Sequence, residues 1–341
     1  MIDLRSDTVT TPTQAMREFM MAAEVGDDVF NEDPTVNQLQ EMIAEMTGKE
    51  RAIFVPSGTQ GNQVAVNAHT RPGQEIICDY NSHIFNYESG SAAMLSGAQL
   101  HPILGQNGHP RAEQIAEVIR PLDDHYPQTG LICLENTHNR AGGTIFPLAE
   151  IKKISALAEK HKLPLHLDGA RLWNASVASN ISIAEWTQHV DSVSLCFSKG
   201  LGAPVGSIVA GAGAFIDRVH FYRKAYGGGM RQVGILAAAC IFAVENHFDR
   251  LQEDHGNARL LGTILNDFKG INVIMPNVQT NIVIADVSKT GRSAVELADL
   301  LYQAGLASIP FGRYKIRFVT HMLIKRDHII QCKDIIKKVI V

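Results

Sequence analysis

Asp191-Ser-Val-Ser-Leu-Cys-Phe197, then Ser198-Lys199-Gly200-Leu-Gly-Ala-Pro-Val205, then Gly206-Ser-Ile-Val-Ala210 is the stretch on which the fold turns. Both flanking runs are short and apolar and read as strands. Only eight residues separate Phe197 from Gly206. A parallel crossover takes a dozen or more, so these two strands are expected to run antiparallel. Upstream, Ala52–Val55, Glu75–Cys78, Gln99–Ile103, Leu131–Leu134 and Pro164–Asp168 give five more strand-like runs. Helical periods lie between them. Asp33-Pro34 reads as an N-cap with proline at the first helical position, followed by Val36, Leu39, Ile43 and Met46 at helical spacing. Ile151, Ile154, Leu157 and Ala158 form a second stripe. This alternation predicts an α/β fold. Its core is a seven-stranded, mostly parallel sheet with one antiparallel strand, covered on both faces.

After the sheet the pattern changes. Gly234 to Phe248 reads as a helix, and a second long helix follows from Leu251. Strand-like runs at Ile271–Met275, Asn281–Ala285 and Ile316–Val319 then mix with helical runs at Ser293–Gln303 and Arg326–Val339. We read residues 1–245 as a large domain that includes the N-terminal segment. Residues 246–341 read as a small C-terminal α+β domain. A length of 341 residues agrees with about two domains. No long linker separates them, so they are expected to pack closely.

Composition excludes several classes. The chain is 45% hydrophobic and 19% charged, an ordinary globular profile with material for a large core. A net charge of −4 and the lack of a basic run argue against a nucleic-acid partner. Five cysteines, odd in number and scattered, form no CxxC pair or metal-ligand spacing. A reducing, cytoplasmic setting is expected. The opening Met-Ile-Asp-Leu-Arg-Ser-Asp has three charges in seven residues and does not read as a secretory signal. The longest apolar stretch, Gly234 to Val244, is too short to span a membrane.

Three segments at expected strand ends could carry chemistry, since open α/β sheets bind ligands there. Pro56-Ser57-Gly58-Thr59-Gln60-Gly61-Asn62 reads either as an anion cup at a helix N-terminus or as a capped tight turn. Asp168 ends an apolar strand and needs a cation: a protonated cofactor ring nitrogen, or Arg171 three residues on. Lys199 follows an apolar strand and precedes a glycine-rich turn. It reads either as a desolvated, nucleophilic amine or as a lysine snorkelling from a strand end. Together the three match the phosphate, the ring nitrogen and the aldehyde of pyridoxal phosphate.

The chain resembles the low-specificity L-threonine aldolases, pyridoxal-phosphate enzymes of the aspartate-aminotransferase fold type I. The likeness runs nearly end to end. It is carried by Ile2–Thr10, Gly26-Asp-Asp-Val29, Ser57-Gly-Thr-Gln60, Leu134-Glu-Asn-Thr-His-Asn139, Asp168-Gly-Ala-Arg171 and Leu195–Gly202. Gly227-Gly-Gly-Met-Arg-Gln232, Leu251-Gln-Glu-Asp-His255 and Arg317-Phe-Val-Thr-His321 complete it. The resemblance implies retro-aldol cleavage of L-threonine or L-allo-threonine to glycine and acetaldehyde. A β-eliminating or serine hydroxymethyltransferase-like activity on the same scaffold is the alternative.

Residue by residue, the resemblance implies a Schiff-base role for Lys199 and a ring-nitrogen role for Asp168. His83 would stack on the cofactor ring, and Ser57, Gly58 and Thr59 would hold its phosphate. Lys224 and Arg231 would reach the phosphate from a neighbouring subunit, which requires a homodimer that shares its sites, within a homotetramer. Arg171 and Arg317, with Ser6, would bind the substrate carboxylate, and Arg171 would also contact the cofactor. His83, His125 or a water would be the general base. No metal is implied. Phe30 stands where the family commonly has tyrosine, which removes one hydroxyl near the substrate.

Overall fold

The structure, a computed structural model, describes residues 1–340. The first strand, β1, is the two-residue Ile2–Asp3. The large sheet follows with β2 (Arg51–Val55), β3 (Glu75–Asp79), β4 (Gln99–Ile103), β5 (Thr129–Glu135), β6 (Leu165–Gly169), β7 (Ser192–Cys196) and β8 (Ser207–Gly211). Their order is β2-β8-β7-β6-β5-β3-β4. Every strand of β3, β6, β7 and β8 is buried along its whole length. Helices cover both faces, so these strands read as continuous rather than alternating runs.

The short link between β7 and β8 does what its length requires. Ser192 pairs with Gly211 and Cys196 with Ser207, antiparallel. β8 is also antiparallel to β2, whereas the pairs from β7 across to β4 are parallel. Reversing β8 leaves β2, β6 and β7 pointing the same way. Their carboxyl ends therefore carry the 57–59 turn, Asp168 and Lys199 to one edge of the sheet.

The largest apolar cluster runs from Met16 to Leu251 and includes Val36, Leu39 and Ile43 on helix Pro34–Thr47. Asp33 caps that helix, its Oδ1 accepting from the Val36 amide at 3.0 Å. Its Oδ2 accepts from the Gly234 amide at 2.8 Å, which ties the start of helix Gly234–His247 to the same cap. A Cβ on Gly234 would lie 2.3 Å from that carboxylate, so only glycine fits there.

A second apolar cluster belongs to the C-terminal unit. Strands β9 (Asn272–Val273), β10 (Ile282–Asp286), β12 (Ile309–Pro310) and β13 (Lys315–Val319) form an antiparallel sheet in the order β12-β13-β10-β9. Helices Leu251–Asn266, Ala294–Gln303 and Arg326–Ile340 join them in chain order. The run expected as a strand over Ile271–Met275 is cut to two residues. A short 3-10 turn, Met275–Asn277, begins there around Pro276, which lacks the N–H a ladder needs.

The N-terminal segment differs from the expected grouping. β1 pairs in parallel with β11 (Leu306–Ala307), and Ile2 and Leu4 are buried in the second cluster with Val283 and Phe318. Residues 1–4 thus share the small unit's core, not the large one's. The first cluster ends at Leu251 and the second takes up at Ala258, inside a single helix. All five cysteines are buried and free. Among the described residues no helix is long and apolar enough to cross a membrane.

Candidate active site

Lys199 lies in a turn held by its own main chain. Its carbonyl accepts from the Gly202 amide at 2.9 Å and from Thr10 Oγ1 at 2.8 Å, and Ala203 N reaches Phe197 O at 3.2 Å. Gly202 has φ +81°, and a Cβ there would meet Met322 Sδ at 2.5 Å. Glycine at position 202 is therefore a requirement of this turn. The N-terminal segment, through Thr10, clamps the lysine loop from outside the sheet.

Asp168 is buried at the end of β6. Its Oδ2 accepts from Asn62 Nδ2 at 2.8 Å and its Oδ1 from the Ala170 amide at 3.1 Å. It does not pair with Arg171. Arg171 is taken by Asp7 instead, with Nε to Oδ2 and Nη2 to Oδ1 both at 2.7 Å. Asn281 Nδ2 also donates to Asp7, at 3.1 Å. Burial would raise the Asp7 carboxyl, but the charges of Arg171 and Lys199 and these hydrogen bonds hold it well below the carboxylate range.

Ser57 caps helix Gly58–His69, its Oγ accepting from the Gln60 amide at 3.1 Å. The amides of Gly58 and Thr59 open the helix with no helical carbonyl behind them. His83 opens the short helix His83–Asn86; its amide donates to Glu135 Oε2 at 2.7 Å and its Nδ1 lies 2.8 Å from Glu88 Oε1. Ser57, Gly58, Thr59, His83, Asp168, Arg171 and Lys199 line one cleft.

Arg317, on β13, reaches the same region from the small unit. Its Nη1 donates to Asn139 Oδ1 at 2.9 Å and its Nη2 to Arg5 O at 3.1 Å. Its buried Nε has no partner, and among the described residues no carboxylate pairs with it. Burial and the neighbouring Arg171 charge push its pKa down to about 10, so it stays cationic at neutral pH. Ser6 lies between Arg5 and Asp7, its Oγ accepting from the Thr8 amide at 3.2 Å.

Ser6 and Arg317 do not line this cleft themselves, and three further expected residues lie away from it. His125 is a surface side chain, 89% exposed, paired with Asp123 at 2.8 Å on the loop before β5. Within one chain His125 therefore lies outside this cleft. Lys224 lines a separate hollow with Val29 and Phe221. Arg231 pairs with Asp27 at 2.9 Å, above the exposed ring of Phe30.

Sequence reading gave no role to Asn62, Glu88, Glu135, Asn139, Asp7 or Thr10. Asn62, Asn139, Asp7 and Thr10 fall inside quoted segments, but nothing in their local pattern announces a partner 100 or more residues away. Glu88 carried no signal at all.

The donor set fits pyridoxal phosphate. Two helix-opening amides and two hydroxyls suit a phosphate, Asp168 a ring nitrogen and Lys199 an aldehyde. One observation of the fold supports the fit: Ser207 Oγ, 3.6 Å from where a Cβ on Gly58 would lie, is buried with no partner. It is a spare donor at the cup.

A family model described as beta-eliminating lyase matches residues 3–290. A low-specificity L-threonine aldolase 1 from Arabidopsis thaliana is 44% identical over 94% of this chain and 91% of its own length. The low specificity L-threonine aldolase of Escherichia coli strain K12 is 43% identical, covering 96% of each chain. Among solved structures, a threonine aldolase from Leishmania major aligns over 100% of both chains with a TM-score of 0.85 at 20% identity, a likeness of fold.

Proposed function

The chain belongs to the beta-eliminating lyase family, and from that membership we propose that it cleaves L-threonine and L-allo-threonine to glycine and acetaldehyde, with the residue roles given below. It is a lyase, and its cofactor is pyridoxal 5'-phosphate. The observation that carries the reading is Arg317, a buried guanidinium with an unpartnered Nε and no carboxylate of its own, beside the cleft that holds Lys199 and Asp168. A buried cation left this way suits an incoming α-carboxylate.

Bound pyridoxal phosphate supplies an electron sink for breaking the Cα–Cβ bond of a β-hydroxy-α-amino acid. Lys199 offers the amine that holds the aldehyde. Asp168, fixed by Asn62 and the Ala170 amide, keeps a proton on the ring nitrogen. The Gly58 and Thr59 amides and the Ser57 hydroxyl orient the phosphate. Arg317 binds the substrate carboxylate. Arg171, held by Asp7, lends positive charge to the same corner. His83 takes the proton of the β-hydroxyl. Coupling acetaldehyde release to a reductase tests the reading; with L-threonine as substrate, a cofactor-loaded protein that forms no acetaldehyde would overturn it. In the same assay Arg317→Ala is expected to raise KM by about 10²-fold, the loss of a bidentate charged contact. Arg317→Lys, which keeps the charge but not the fork, should fall between. A KM unchanged in both would remove Arg317 from the carboxylate site.

We further read the active form as a cytoplasmic homodimer, assembled into a tetramer, in which Lys224 and Arg231 serve the neighbouring subunit's phosphate. Exposed Phe30 and Phe221 near these cations support a shared face. Sedimentation at the assay concentration reads the assembly, and a fully active monomer would exclude it.

A further inference from the structure

Glu88 is a carboxylate at 1% exposure with no ion pair to lysine or arginine among the described residues. Its partners are three side chains. Oε1 accepts from Asn62 Nδ2 at 2.8 Å and sits 2.8 Å from His83 Nδ1, and Oε2 accepts from Gln63 Nε2 at 2.6 Å. A carboxylate can only accept, so His83 Nδ1 carries a proton. The Asn62 amide spends its two hydrogens on two carboxylates, Glu88 and Asp168. Its Oδ1 accepts from Ser194 Oγ at 2.7 Å, which fixes the amide's orientation. A nitrogen of His83 and oxygens of Glu88 and Asp168 all lie within 4.8 Å of one another.

We propose that Glu88 is a positioning residue that keeps His83 Nδ1 protonated, turns Nε2 toward the cleft as the acceptor of the substrate's β-hydroxyl proton, and couples His83 to Asp168 through Asn62. Packing alone does not call for a charge here. A glutamine of the same shape would accept from His83 and Asn62 through its oxygen. Its amide would face Gln63, whose buried Oε1 now lacks a partner and could turn to receive it. An ionised carboxylate is much costlier to bury than an amide. What only the carboxylate gives is negative charge at the imidazole.

The groups facing His83 agree. Glu88 and Tyr87 come from its own segment, Glu135 from β5, Asp168 and Arg171 from the end of β6, and Cys196 and Lys199 from β7 and its turn. Burial would lower the imidazole pKa, but the Glu88 hydrogen bond and the charges of Asp168, Glu88 and Glu135 outweigh it and raise it. A raised histidine is a free base only above its own pKa. The acid limb of the reaction should therefore lie higher than an isolated imidazole would set it, and removing the Glu88 charge should move that limb to lower pH.

The inference deepens the lyase reading, and the first measurement does not depend on it. Histidine Cε1 titrations by NMR on the cofactor-free full chain, with His83→Asn to assign the resonance, give the His83 pKa directly. In the parent it is expected above the ordinary ~6.5. In Glu88→Gln it is expected to fall by about one unit or more. The acid limb of kcat/KM in the loaded Glu88→Gln enzyme should shift the same way. Superimposed titrations of parent and variant would overturn the coupling, however active the enzyme. A shifted titration in a chain that cleaves no hydroxy amino acid would uphold the coupling and sink the lyase reading instead.

Discussion

Lys199→Ala is expected to lower kcat/KM for L-threonine by more than about 10⁴-fold, the scale of losing a covalent catalytic group. Among the described residues Lys199 is the only primary amine lining the cleft. The loss should be chemical and not structural. The turn around Lys199 is fixed by main-chain groups: its carbonyl bonds Thr10 and Gly202, and Phe197 O bonds Ala203. Truncating the side chain leaves all three bonds in place. The thermal midpoint of the cofactor-free variant should match the parent's. Borohydride treatment of the loaded parent should fix the cofactor on the peptide that contains residue 199, as mass spectrometry would read. The variant should incorporate none. Cofactor fixed on another lysine, or a variant within about tenfold of the parent, would remove Lys199 from the role.

The large sheet was legible because its strands are buried on both faces. Continuous apolar runs such as Asp191–Phe197 stand out from the helical stripes around them. The antiparallel pair was legible from chain length alone, since eight residues cannot cross a sheet face. Asp168 and Lys199 followed from their place at strand ends. The boundaries of small-unit elements were harder to read, because short strands there are set by turns. Around Pro276 the chain turns into a 3-10 helix, and β9 ends at Val273, two residues short of the expected Met275.

What escaped reading is what depends on distant partners. Arg171 was weighed against Asp168 because three residues separate them. The fold gives it to Asp7, 164 residues away, because residues 1–4 cross to the small unit and carry Asp7 past the end of β6. Glu88 and Asn62 escaped for the same reason: a buried amide joining two carboxylates leaves no periodicity. His125 is the converse. Its residue type suited a general base, but its exposed loop keeps it out of the cleft of its own chain. The mild net charge of −4 hides a dense interior set of opposed charges, with Asp7, Glu88, Glu135 and Asp168 set against Arg171, Arg317 and Lys199.

Asp7→Asn should have the largest effect on stability. Asp7 is fully buried and accepts two hydrogen bonds from Arg171, itself only 6% exposed. Asparagine keeps the shape but turns an amide toward one of those donors and leaves the guanidinium uncompensated. Breaking one side of a buried pair costs about 3–5 kcal/mol. A drop in thermal midpoint on the order of 5 °C or more is expected for the cofactor-free protein at fixed concentration. The pH dependence gives the sign. Because the folded Asp7 carboxyl is held below its unfolded value of 3.8, its contribution is fully present above that value. It is lost as pH falls through the lower, folded pKa. The gap between parent and variant should therefore be constant at neutral pH and narrow only in strong acid. Replacing both partners, Asp7→Leu with Arg171→Met, should recover part of the loss, because no buried charge is then left alone. If the double variant is as unstable as Asp7→Asn with Arg171 intact, packing around Asn281 and not the unpaired cation sets the cost. If Asp7→Asn melts with the parent, the pair does not hold the N-terminal segment against the end of β6, and the clamp on the lysine turn must rest on Thr10.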